Sequence, residues 1–155
     1  MSRIAGLTQL KERATRGKYA EDKVRDELKA LSDRRAYFDF ERNYDARSSM
    51  GRIPRRAGDF TFYTSTGHGV IEVKQVNHEF RLPKKNFNPD GFGVLRKRAL
   101  AGGKIIVLVF HTPTRIWRYI PFEWFDERRD QTSWVLSDFR EFQKPADALY
   151  MAGLH

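Results

Sequence analysis

The sequence predicts an α/β domain: a mixed central β-sheet flanked by helices. Three stretches carry that expectation. An amphipathic helical segment lies near the start, two apolar strands flank a glycine-containing turn, and Lys104–His111 (KIIVLVFH) is a continuous β-branched run. Such a run suits a central strand covered on both faces. Strands interleaved with helices point to the α/β class. At 155 residues, 40% of them apolar and 14% aromatic, the chain has the length of one domain and too much apolar side chain for disorder.

In chain order, the arm Ser2–Leu10 places Ile4, Leu7 and Leu10 at helical spacing but is too short to be stable alone. Gly17–Ser32 reads as a helix. At about 100° per residue Ala20, Val24, Leu28 and Leu31 share one stripe, and Glu21 sits about 65° from its centre, on the border of the buried face. A carboxylate there calls for a reason. Tyr37–Phe40 reads as a strand entering Glu41-Arg42. Asn43–Ala57, rich in Ser, Gly, Pro and Arg, reads as a long exposed loop. Strands over Gly58–Tyr63 and Val70–Val76 follow, joined by Thr64–Gly69, whose glycines suit a hairpin turn. Pro89–Leu100 reads as a helix ending at Gly102-Gly103. After Lys104–His111, the turn Thr112-Pro113-Thr114 leads to a partner strand, Arg115–Ile120. Short helices at Pro121–Arg128 and Pro145–Gly153, and a short strand at Trp134–Leu136, complete the order. The expected organisation is one domain, 1–155: an arm (1–14), a core (15–125) and a C-terminal extension (126–155).

Charge speaks to partners. Lys and Arg number 29 against 20 Asp and Glu, a net of +9. Residues 1–56 and 57–120 each carry a net +6, and residues 121–155 carry −3. That asymmetry predicts a basic face suited to nucleic acid. The absence of cysteine excludes a disulfide scaffold, a thiolate nucleophile and a cysteine-based metal site. The first residues hold no apolar run of signal-peptide length and no segment reaches a membrane span, so the expectation is a cytoplasmic protein without a membrane partner. No phosphate-loop pattern occurs, so no nucleotide cofactor is expected. His68, His78, His111 and His155 lack metal-ligand spacing, and Ser48-Ser49 lacks a neighbouring His–Asp pattern.

The hairpin carries the chemistry. Phe60 and Phe62 on one strand must share a face with Ile71 and Val73 on the other, which restricts the register to pairs with an odd residue-number sum. A turn centred on Ser65-Thr66 sets Asp59 opposite Glu72, and one centred on Thr66-Gly67 sets it opposite Lys74. Both bring Asp59, Glu72 and Lys74 to one face, with opposed Cβ atoms about 5 Å apart. Carboxylates that close raise each other's pKa unless a cation shares the site. Hard divalent cations, Mg²⁺ above all, take oxygen ligands in this arrangement. Lys74 is placed to steady an attacking water or a scissile phosphate. Basic clusters flank these residues in sequence: Arg16 and Lys18 before Glu21, then Arg47, Arg52, Arg55 and Arg56 before Asp59, then Arg81, Lys84 and Lys85 beyond the strand. Together they read as phosphate contacts.

Glu21 on an early helix, Gly58-Asp59 on a strand and Glu72-Val73-Lys74 on the next resemble the PD-(D/E)XK nuclease superfamily, whose core runs α-β-β-β-α-β. Phe80-Arg81-Leu82-Pro83 with Asn86-Phe87, the strand Lys104–His111 and Trp117–Phe122 (WRYIPF) are similar to RecU-type Holliday junction resolvases. The resemblance implies a restriction-endonuclease-like core and a metal-dependent DNA endonuclease acting on four-way junctions. It makes Asp59, Glu72 and the Val73 carbonyl ligands of Mg²⁺, with Mn²⁺ as a substitute. Lys74 would position the nucleophile, and Glu21 would bind metal-bound water or a second ion. Gly58 stands where the motif has proline. Phe92–Leu100 lacks the glutamine many resolvases place on that helix, and Gln75 is the candidate substitute. Two cuts on opposing strands call for a homodimer. The competing readings are a restriction-type or flap-type nuclease of the same superfamily, and a DNA-binding protein without cleavage.

Overall fold

The structure, a computed structural model, describes residues 2–43, 57–87 and 90–155, with the backbone alone for 2–16. Helix α1 runs Ser2–Arg34, then β1 is Asp39–Arg42, β2 Phe60–Thr64 and β3 Gly67–Val76. Beyond them come β4 (Arg81–Pro83), a 3₁₀ turn at Lys84–Phe87, α2 (Gly91–Leu100), β5 (Lys104–His111) and β6 (Ile116–Pro121). Helix α3 (Phe122–Glu127), β7 (Ser133–Val135) and α4 (Pro145–Met151) close the described chain.

The main sheet has the order β1-β2-β3-β5-β6. Among the described strands, β3 and β5 pair in parallel and the other neighbours antiparallel, so the sheet is mixed, as the sequence predicts. The crossover between those two strands carries α2, which supplies the length a parallel connection needs. β5 lies between β3 and β6, and seven of its eight residues are buried, which its unbroken apolar run requires. A second, two-stranded sheet pairs β4 with β7.

Side-chain alternation divides the core into two layers. Ile71, Val73, Ile106, Leu108 and Phe110 pack with Ala20, Val24, Leu28 and Leu31 of α1 and with Ala148 and Leu149 of α4. Val70, Val76, Ile105, Val107 and Val109 pack on the other side with Phe92 and Leu95 of α2, Phe122 and Phe125 of α3, and Trp134. The helical stripe read from the sequence is therefore the buried face of α1.

Three differences from the sequence reading matter. The arm and the first helix form one continuous 33-residue helix. Extending an existing helix adds one hydrogen bond per residue fixed, whereas a separate short helix must nucleate anew. The strand expected at Tyr37–Phe40 is shifted to Asp39–Arg42, where Phe40 pairs with Phe62. β4 was not expected at all, because its three residues are defined by a partner some fifty positions away. Most of the basic loop (44–56) lies outside the described residues, and with it Arg47, Arg52, Arg55 and Arg56.

Candidate active site

The hairpin adopts the first of the two registers: Phe60 pairs with Ile71 and Phe62 with Gly69, so Asp59 falls opposite Glu72. Pairing between β2 and β3 stops at Phe60. The Asp59 N–H still donates to the Ile71 carbonyl at 2.8 Å, but the Val73 N–H turns to Asp59 Oδ2 at 2.7 Å. The strands separate here, and the carboxylate of Asp59 fills the gap. Gly58 makes that exit possible. Its φ is +72°, and a Cβ would stand 3.0 Å from the Ile71 carbonyl oxygen and 3.1 Å from Val70 Cβ. Proline, locked at φ near −65°, does not fit this backbone.

Glu72 and Lys74 project from the same face of β3, and Lys74 Nζ lies 2.6 Å from Glu72 Oε1. Both side chains are mostly buried, at 13% and 14% exposure, so the pair is weakly screened. Lys74 also donates to the Asn86 carbonyl at 2.7 Å and sits over the Phe87 ring, 5.0 Å from its centre. Its ammonium is thus held from three sides.

Glu21 approaches from α1. Arg42 at the end of β1 binds Glu21 Oε2 at 3.0 Å and Asp22 Oδ1 at 3.0 Å. Next to it, the Asn43 N–H donates to the Asp59 carbonyl at 2.7 Å. The Asn43 amide reaches the Ala57 carbonyl and Thr61 Oγ1, each at 3.0 Å. Arg42 and Asn43 therefore tie helix, edge strand and motif together. Sequence reasoning missed both: the only signal was their position at the end of a short polar strand.

The charges explain the behaviour of Asp59. Burial pushes its pKa well above the usual carboxylate range, and the negative charges of Glu72 and then Glu21 push the same way. The Val73 N–H and Lys74 oppose this without cancelling it. Three carboxylates share one electrostatic neighbourhood that is short of positive charge. That donor set suits a hard divalent cation. Among the described residues, however, no three His, Cys, Asp or Glu side chains stand close enough to hold an ion as they are. Glu72 is turned onto Lys74 and Glu21 onto Arg42, so these two cations occupy the carboxylates.

The remaining predicted residues divide. Gln75 alternates to the α1 side of the sheet, away from Glu72 and Lys74, and its Oε1 is buried without a hydrogen-bond partner. Lys18 and Lys85 are exposed, and the side chain of Arg16 is outside the described residues. Arg81 donates to Ser133 Oγ at 2.7 Å. Lys84 is engaged internally, bonded to the Arg129 carbonyl and lying 4.9 Å from the centre of the Phe92 ring.

No family model matches the sequence, and no curated protein does. Among solved structures, the fold is similar to the 1.6 Å structure of Hjc, a Holliday junction resolvase from the archaeal hyperthermophile Archaeoglobus fulgidus. The two share 18% identity over 83% of this chain and 97% of that one, with a TM-score of 0.49. A likeness at that level assigns neither residues nor chemistry. Among the described residues, no helix is long and apolar enough to cross a membrane.

Proposed function

We propose that this protein is a metal-dependent DNA endonuclease that hydrolyses phosphodiester bonds, acting on branched DNA of the four-way-junction kind as a homodimer. One observation carries the reading: Asp59 and Glu72 face each other across a parting hairpin with Lys74 beside them, and Asp59 is destabilised in its charged form. A structural salt bridge has no use for that third, uncompensated carboxylate. The basic balance of residues 1–120 supports a polyanionic substrate.

Asp59, Glu72 and the Val73 carbonyl would hold Mg²⁺, and Glu21 would bind metal-bound water or a second ion. A divalent ion supplies a Lewis acid for the phosphoryl oxygen and lowers the pKa of water. The chain's own residues do the rest. The Val73 N–H fixes the orientation of Asp59. Lys74, anchored on the Asn86 carbonyl, would orient the nucleophile or meet charge developing on the phosphate. Arg42 holds Glu21 at the helix border.

The test is cleavage of a labelled four-way junction and a matching linear duplex, with Mg²⁺ or with EDTA. The expected result is Mg²⁺-dependent cutting of the junction in preference to the duplex. Asp59→Asn and Glu72→Gln should each lower the rate by at least about a hundredfold while junction binding in EDTA is kept or tightened. Equal cutting of duplex and junction would favour a restriction-type enzyme. No cutting of any DNA, with binding intact, would leave a non-cleaving DNA-binding protein.

A further inference from the structure

On the other flank of α1 from Glu21 lies a cavity of about 520 Å³, bounded by α1, the β5–β6 turn and the start of α4. Its walls include the aromatic rings of Tyr19, Phe110 and Trp117. Phe110 and Trp117 are buried and in contact, with ring centres 4.8 Å apart. Tyr19 lies over Phe110 at 5.6 Å and keeps 36% of its surface exposed. Three cations line the cavity, Lys23, Arg115 and Lys144, against one carboxylate, Glu27. The lining is therefore apolar at the base and carries an excess of positive charge.

Arg115 is the residue that makes this more than a surface groove. Its φ is +58°, a conformation that costs free energy for a residue other than glycine. The strained turn closes with the Arg115 N–H donating to the His111 carbonyl at 2.8 Å. It sends the guanidinium back to α1, where it donates to the Tyr19 hydroxyl and lies 5.4 Å from the centre of that ring. Lys23 approaches the same ring at 5.6 Å. The cavity lies on the α1 side of the sheet, the face opposite Glu72 and Lys74. Phe110 in its wall is the ladder partner of Gln75, the residue after Lys74.

We propose that this cavity receives one nucleotide of a DNA strand outside the scissile position. Arg115, Lys23 and Lys144 would meet its phosphate, and its sugar and base would pack on Tyr19 and the apolar wall. The volume lies within the range that holds a small organic ligand. Cations set around aromatic rings are the means by which single strands are bound without reading sequence. That the ligand is DNA rests on the nuclease reading; that it is a phosphate-bearing aromatic molecule rests on the cavity alone.

Binding of a fluorescein-labelled ten-residue oligothymidylate, followed by anisotropy in EDTA, tests this without cleavage. The double variant Arg115→Gln/Lys144→Gln should bind about tenfold more weakly, with a log K against log salt slope smaller by about 1.4. Glu27→Gln, which removes the cavity's carboxylate, should bind about threefold more tightly. This second variant protects the test against a simple folding defect in the first. Unchanged affinity and slope in both variants, or no binding by the wild type, overturns the proposal. Competition by thymidine 5′-monophosphate as strong, per site, as by the oligonucleotide would overturn the strand as ligand in favour of a free nucleotide. Because no metal is present, loss of oligonucleotide binding indicts the cavity, whereas failure to cut a junction with Mg²⁺ indicts the nuclease reading.

Discussion

At the scale of single residues, Asp59 holds a carboxylate where burial and two like charges disfavour ionisation. Its folded pKa lies above its unfolded value, so the folded state holds that proton more tightly. The metal-free protein should therefore lose stability as pH rises through the raised pKa, and regain it as pH falls back. Asp59→Asn removes this contribution and leaves an oxygen to accept the Val73 N–H. In EDTA at pH 8 the variant should melt higher than the wild type, by about 2–4 °C for each kcal/mol relieved. Mg²⁺ should raise the melting temperature of the wild type and leave that of the variant unmoved. A variant that melts lower at every pH would mean that the carboxylate is an ordinary structural acceptor. Glu72 carries a second test: Lys74 is paired to its Oε1 at 2.6 Å, so an ion taken by that oxygen would compete with the ammonium. Lys74→Ala should tighten Mg²⁺ binding measured calorimetrically while abolishing cleavage, and weaker binding would place Lys74 among the groups that build the ion site.

At the scale of elements, the hairpin exit depends on backbone more than on side chains. Gly58 at φ +72° would put a Cβ only 3.0 Å from the Ile71 carbonyl oxygen and in a backbone conformation that side chains rarely adopt. Gly58→Ala should cost about 1–3 kcal/mol and displace Asp59. Asn43→Ala leaves the Ala57 carbonyl and Thr61 hydroxyl without their shared donor and should cost a similar amount. Urea unfolding measures both, and a loss below about 0.5 kcal/mol in either case would show that the edge strand does not position the motif. The loop between β1 and β2 makes a separate claim. Replacing Arg52, Arg55 and Arg56 with alanine should flatten the salt dependence of junction binding by up to about three units. An unchanged slope would mean that these arginines face away from DNA.

At the scale of the whole molecule, the proposed task requires two cuts and the chain carries one set of Asp59, Glu72 and Lys74. A two-fold junction suits a two-fold enzyme, and C₂ is the commonest closed symmetry. α4 leaves Tyr150 and Met151 exposed, at 63% and 49%, on the acidic C-terminal portion that would not face DNA. Sedimentation equilibrium should give twice the 18.2 kDa chain mass at micromolar concentration. A mass near 18.2 kDa, both free and on junction DNA, would rule out the dimer and leave a nuclease that makes one cut per binding event.

The sequence by itself determined the sheet-forming runs, the buried stripe of α1 and the pairing of Asp59 with the Glu72–Lys74 strand to within two registers. Each follows from local periodicity, and periodicity is a property of neighbouring residues. It determined the border position of Glu21 in the same way. Only the tertiary structure chose between the registers, because that choice depends on where the turn closes and on how Phe60 and Phe62 pack beneath α1. Only the tertiary structure set Arg42 on Glu21 and Asn43 on the Asp59 backbone, and carried Arg115 across to Tyr19, 96 residues away. These contacts join side chains far apart in the chain, and no pattern within a strand or a helix encodes such a partner. Gln75 shows the same limit from the other side. Adjacent to Lys74 in sequence, it points to the opposite face, because successive residues of a strand alternate across the sheet.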